Sequence, residues 1–158
     1  MPQASTGKRK PKRAYVVRNS AIHGRGVFAA RTIRKGSVII EYRGERTTWE
    51  LASERPDSDP SNPQHTFIFA TSDGGVIDGG RRGNAARWIN HSCAPNCSAY
   101  EDARGRVFIA ARRTIRAGDE LTYDYGLVLD GRVTRKLRAE YACHCGSKRC
   151  RGSLLGEG

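Results

Sequence analysis

The segment Arg87-Trp88-Ile89-Asn90-His91-Ser92-Cys93-Ala94-Pro95-Asn96-Cys97 carries four chemistries in a row. Asn, His, Ser and Cys at consecutive positions set an amide, an imidazole, a hydroxyl and a thiol in one turn of chain. A plain polar loop, its side chains satisfying its own backbone, has the same composition. A Cys–His nucleophilic pair is disfavoured, because side chains of neighbouring residues diverge on extended chain.

Outward from this segment the sequence is β-rich and punctuated by turns. Val27-Phe28, Ser37 to Tyr42, Thr66 to Ala70, Gly75 to Asp78, Arg106 to Ala110 and Glu120 to Tyr125 each read as a strand. They are rich in β-branched and aromatic residues and bounded by Gly, Asp or Pro. Thr48 to Arg55 is the best helix candidate; it ends at Pro56, which opens the loop Pro56 to Pro63. No βαβ rhythm is present, so a doubly wound nucleotide-binding fold is disfavoured and a mainly β fold of several small sheets is expected. Before the first of these strands stands His23-Gly24-Arg25-Gly26. Its glycines let the backbone turn sharply and approach a ligand closely, although a simple turn has the same signature.

The 158 residues suit about one domain with a substantial core. No apolar run approaches the ~20 residues of a membrane span, so no membrane association is expected. The N-terminal MPQASTGKRKPKR has no apolar secretory segment, and export by that route is not expected. Those first 13 residues hold five basic residues and no Leu, Ile, Val or aromatic. They are read as a disordered arm, suited to nucleic acid or to a nuclear address. The whole chain carries 28 Lys+Arg against 16 Asp+Glu, a net charge of +12, which favours adhesion to polyanions. A merely soluble surface is the plainer reading of the same charge.

Three of the five cysteines crowd into Cys143-His144-Cys145 and Cys150. With no export signal, the clustering points to reduced thiols and a metal rather than to disulfides. A structural zinc takes four ligands, and these three thiolates supply three. The fourth comes from Cys93, Cys97 or His144, and spacing alone does not choose among them.

Taken in order, these segments resemble the SET-domain protein-lysine methyltransferases. Asn90-His91-Ser92-Cys93-x-Pro95-Asn96, Gly118 to Tyr125 and Cys143-x-Cys145-x4-Cys150 follow the family's signature order. Gly24-x-Gly26, Glu41-Tyr42-Arg43-Gly44 and Gly83-Asn84-Ala85-Ala86-Arg87 stand in their family places too. The resemblance runs from Tyr15 to Leu155 and looks closest to the trithorax/mixed-lineage-leukaemia branch. The cysteine-rich pre-SET region of many eukaryotic relatives is missing, and the insert between Glu45 and Phe67 is short.

The resemblance implies a β-clip fold of small sheets with a C-terminal segment threaded under a loop, a pseudoknot of a kind rare among proteins. It implies a SET domain over residues 14–126, a post-SET zinc-binding tail over residues 127–158, and S-adenosylmethionine as cofactor. His23, Gly24, Arg25 and Gly26 resemble the turn that holds the cofactor. Asn90 and His91 resemble the pair that grips its adenosyl and amino-acid parts, and His144 the residue packed near the adenine. Phe67 stands where close relatives carry a cofactor-contacting Tyr. For the zinc, the family pattern selects Cys93 beside Cys143, Cys145 and Cys150. Tyr125 resembles the catalytic tyrosine and Tyr42 a second hydroxyl of the lysine channel. Tyr123 resembles the residue that restrains the methylation state, here toward mono- and dimethyllysine.

The expected partner is thus a lysine-bearing protein, basic or associated with nucleic acid, with nucleic acid itself a second partner through the basic surface and arm. Either Glu41, Glu45, Asp119 and Asp124 form an acidic groove for a basic target, or the target arrives already bound to nucleic acid. A monomer is favoured. The expected location is the cytoplasm or nucleoid for a bacterial source, and the nucleus or chromatin for a eukaryotic or host-directed one. The rivals are a catalytically silent SET binding module and a basic zinc-containing nucleic-acid binder.

Overall fold

In the computed structural model, residues 13–55, 67–127, 132 and 134–155 are described. The expected arm, apart from Arg13, lies outside them, as do the loop Pro56 to Pro63 and Thr66. Among the described residues the strands are β1 (Tyr15–Asn19), β2 (Arg25–Ala29), β3 (Val38–Glu41), β4 (Glu45–Thr47) and β5 (Ile68–Ala70). They continue with β6 (Val76–Asp78), β7 (Asn90–His91), β8 (Cys97–Glu101), β9 (Val107–Ala111) and β10 (Thr122–Tyr123). Two short helices, α1 (Trp49–Ser53) and α2 (Arg135–Glu140), complete the list with a 3₁₀ turn at Ala85–Trp88.

The strands form four small sheets: β1-β2, β3-β9-β8, β4-β6-β5 and β10-β7. Central β9 is almost wholly buried, and its Val107 and Ile109 meet Val27, Ile40, Ile89, Ile115 and Leu121 in the core. Fully burying such a side chain contributes ~1.5–3 kcal/mol, so short strands are held by their apolar faces more than by their few ladder bonds. The helices start where their sequences say they should. Thr48 caps α1 by accepting from the Leu51 N–H, and Thr134 caps α2 by accepting from the Leu137 N–H.

The β7–β10 pair positions the chemistry. It is parallel, with Thr122 opposite Asn90 and Tyr123 opposite His91. The segment leading into β10 is held on its other side by β2. There Ala29 donates to the Asp119 carbonyl and Leu121 to the Val27 carbonyl. The C-terminal segment therefore runs between the first hairpin and the Asn90–Asn96 loop, the neighbourhood that the resemblance implies.

That double attachment also explains a difference from expectation. Glu120 to Tyr125 reads as one strand, yet only Thr122–Tyr123 pair as one. The flanking backbone groups bond elsewhere: Leu121 donates to the Val27 carbonyl and Tyr125 to the His91 ring, while Thr122 turns its own N–H to the Asn96 side chain. Four strands escape the sequence reading, β1, β4, β7 and β8. The last of these, Cys97–Glu101, alternates buried and more exposed positions, but Tyr100 is its one strong strand former beside Ser, Ala and Glu. Among the described residues no helix is long and apolar enough to cross a membrane.

Candidate active site

A cleft of about 240 Å³ opens between the first hairpin, β7 and the C-terminal tail. Ile22, Ala142 and Leu154 give it apolar wall. His23, Asn90, His91 and His144 give it polar wall, and Tyr125 stands at its edge. Four of the eight residues expected to hold a cofactor thus meet in one cavity, although His144 lies far from the others in sequence. The mixture suits a ligand such as S-adenosylmethionine, with an aromatic base, a sugar and a charged amino-acid end.

The expected turn shapes this cleft by its backbone. Ser20 donates to the Gly24 carbonyl, and Gly24 sits at φ +43°, a conformation that favours glycine. A Cβ on Gly26 would collide with the Glu120 carboxylate. Asn90 fastens the turn from below, its Nδ2 lying 3.1 Å from the His23 carbonyl, 3.0 Å from that of Arg25 and 2.9 Å from Glu120 Oε1. Ser20 Oγ donates to the same carboxylate at 2.7 Å. Glu120 joins turn and loop, a role the sequence reading missed. Arg25 itself turns away, its guanidinium over the Trp88 ring at 5.8 Å. Phe67 does not line the cleft; it is buried edge-on against Trp88 at 5.1 Å.

His91 is 3% exposed, and burial pushes its ring down to about 4, with Asp124 opposing that shift and Arg151 adding to it. The ring is neutral near pH 7. Its Nδ1 accepts the Tyr125 backbone N–H at 3.0 Å, so the ring hydrogen sits on Nε2, which faces Cys93 Sγ at 3.3 Å. The expected divergence of neighbouring side chains does not apply here, since residues two apart share a face. The sulfur so engaged belongs to a metal-type cluster.

Next to the cleft lies an aromatic block. Tyr125 packs on Tyr123 at 4.9 Å, Tyr123 on Phe69 at 6.3 Å and Phe69 on Tyr42 at 5.3 Å. Tyr42 donates to the Phe67 carbonyl at 2.6 Å, and the Tyr125 hydroxyl donates to the Ile89 carbonyl. Burial pushes all three phenols up, so they remain protonated. Phe69 was not singled out from sequence. Its signal was alternation, since it follows Phe67 by two residues along one strand.

The Sγ atoms of Cys93, Cys143, Cys145 and Cys150 all lie within 4.8 Å of one another. Tetrahedral Zn–S bonds of ~2.3 Å require sulfurs ~3.8 Å apart, and the Cys93–Cys143 separation is 3.8 Å. The donor set and spacing fit zinc. Cys97 is buried in β8 with its thiol pushed up to about 11 by burial, and His144 lines the cleft instead. Three of the four carboxylates of the expected acidic groove are paired with arginine. Glu41 pairs with Arg43, Glu45 with Arg55, and Asp124 with Arg151 in a two-pronged bridge of 2.7 and 3.1 Å.

Comparison with known proteins places the chain in a family. The SET domain family matches residues 24–126. Human histone-lysine N-methyltransferase 2B is 40% identical over 150 residues, covering 93% of this chain and 5% of its own. The trithorax histone-lysine N-methyltransferase of Drosophila melanogaster is 41% identical over 138 residues, 85% of this chain and 4% of its own. A Candida albicans histone-lysine N-methyltransferase described as H3 lysine-4 specific is 36% identical over 149 residues, 92% of this chain and 14% of its own. The chain thus spans a small fraction of each relative's length.

Proposed function

The chain belongs to the SET-domain family, and from that premise we propose that it is an S-adenosylmethionine-dependent protein-lysine N-methyltransferase. One observation carries the reading: Tyr125 belongs at once to the polar cleft and to the aromatic block. A cofactor in the cleft and a lysine reaching through the block would meet at its hydroxyl. The bound cofactor supplies a methyl group activated by sulfonium.

The residues of the chain align the acceptor. The Tyr125 proton is committed to the Ile89 carbonyl, so its oxygen is left to accept an amine N–H and aim the nitrogen lone pair. A free lysine has pKa ~10.4, and an apolar aromatic passage disfavours the ammonium form. The protonated phenols of the passage offer no base, so the proton leaves to water before the amine enters. Tyr42, fixed by the Phe67 carbonyl, stiffens the wall. The Tyr123 hydroxyl has no hydrogen-bond partner among the described residues and restrains the room for a methylated amine. His23, Gly24, Gly26, Asn90, His91 and His144 hold the cofactor, Arg25 contributing its backbone and Phe67 packing from outside the cleft. Cys93, Cys143, Cys145 and Cys150 would hold a zinc ion and so fasten the tail that forms one wall.

The substrate is a lysine on a basic or nucleic-acid-associated protein, methylated mainly to the mono and di states. The names of the relatives, all histone-lysine methyltransferases, support the class. With three of its four groove carboxylates neutralised by arginine, a chain of net charge +12 docks on the nucleic acid carried by its target. Incubation of a lysate with the protein and methyl-labelled cofactor, followed by mass spectrometry, tests this. Labelled lysines in nucleic-acid-associated proteins are the expected result, and a lysate without labelled lysine refutes the reading.

A further inference from the structure

Five of the twelve carboxylates among the described residues are paired with arginine. Glu41, Glu45, Asp78, Asp102 and Asp124 each meet an arginine. Glu120 does not. It is half-buried, and among the described residues it enters no ion pair; its oxygens accept only from neutral donors, Ser20 Oγ and Asn90 Nδ2. Leaving a half-buried carboxylate without a cation is costly, and hydrogen bonds from two neutral donors offset that only in part. Its position is equally specific. Glu120 underlies Asn90, which lines the cleft, and fills the space that a Cβ on Gly26 would occupy. Its field reaches the Tyr125 hydroxyl, where it adds, after burial and Tyr123, to the upward shift of that phenol.

A lone negative charge beneath a cleft attracts whichever ligand brings the missing positive charge. Methyl transfer changes the ligand in that respect. The C–S bond breaks, its electron pair stays on sulfur, and the positive charge leaves with the methylated nitrogen. S-adenosylmethionine is a sulfonium cation at sulfur, whereas S-adenosylhomocysteine is a neutral thioether. Resting on the methyltransferase reading, we propose that Glu120 is a positioning residue whose uncompensated carboxylate makes the cleft discriminate the sulfonium cofactor from its thioether product. Loss of the attraction on transfer weakens the hold on the product and favours exchange. At an effective dielectric constant of ~20, unit charges roughly 10 Å apart interact strongly enough to change affinity by about tenfold.

Calorimetric titration of S-adenosylmethionine and S-adenosylhomocysteine into the intact protein reads this without turnover. Glu120→Gln is expected to weaken the sulfonium ligand about tenfold more than the thioether. Glu120→Asp is expected to keep the wild-type ratio of the two Kd values, and Ser20→Ala to shift both in parallel. A Glu120→Gln protein in which both affinities fall equally, or neither falls, overturns the proposal and leaves a structural role. Should Glu120→Gln not fold, Glu120→Asp against Glu120→Asn makes the same comparison of charge. A wild type that binds neither ligand overturns the methyltransferase reading itself.

Discussion

Nδ1 of His91 accepts the backbone N–H of Tyr125 at 3.0 Å, across 34 residues of sequence. The bond fixes the tautomer of a buried ring and turns its Nε2 hydrogen toward a cysteine of the thiolate cluster. Tail, cofactor loop and candidate catalytic tyrosine are thereby tied at one imidazole. His91→Leu is expected to strand the Tyr125 N–H at a cost of about 1–3 kcal/mol, and His91→Asn, with an oxygen near the Nδ1 position, to recover part of it. Thermal unfolding compares the two; equal losses would contradict the account.

Zinc removal should act at a distance. Cys145→Ser is expected to lower both zinc content and S-adenosylmethionine affinity, because the tail carries Ala142, His144 and Leu154 into the cleft wall. Metal analysis with calorimetry checks this. Full cofactor binding by a metal-free variant would refute the coupling.

The methylation state should be held by Tyr123. Its hydroxyl sits on the ring next to Tyr125 without a hydrogen bond to the described residues. Tyr123→Phe frees space on the scale of one water, ~30 Å³, and is expected to raise the di- and trimethyllysine fraction while activity persists. Abundant trimethyllysine from the wild type, or an unchanged product ratio, would count against it in mass spectrometry.

The pH profile should follow the substrate rather than the wall. Burial first, then Tyr123 and Glu120, push the Tyr125 phenol well above its ordinary 10.0. A raised phenol pKa means the hydroxyl keeps its proton up to and beyond pH 10. The transfer rate on a peptide is therefore expected to rise with pH as the lysine amine, pKa ~10.4, loses its proton. A decline beginning below pH 10 in a protein still folded by circular dichroism would contradict the shift.

The sequence made much of this site legible, and where it did not the reasons are physical. Residues whose chemistry is rare in combination, such as Asn90-His91 or Cys143-x-Cys145, stand out in any reading. The reach of the tail, which brings His144 beside His23, came only from resemblance, since no local pattern encodes it. Glu120 to Tyr125 misled about strand length because its backbone groups bond to the side chains of Asn96 and His91, which periodicity cannot reveal. Phe69 was overlooked beside Phe67, since alternation places both on one face without saying which one meets the tyrosines. Glu120 read as an ordinary strand residue; its importance lies in its place beneath Asn90 and against Gly26.

The central claim is that the Tyr125 hydroxyl, at the junction of cleft and aromatic block, aligns a lysine amine for methylation. The most direct measurement is single-turnover methyl transfer to a lysine-containing protein, wild type against Tyr125→Phe, with S-adenosylmethionine affinity measured on both. The account predicts methyllysine from the wild type and a rate reduced at least about 100-fold in Tyr125→Phe, with cofactor affinity little changed. Transfer by Tyr125→Phe at a rate near that of the wild type would contradict it.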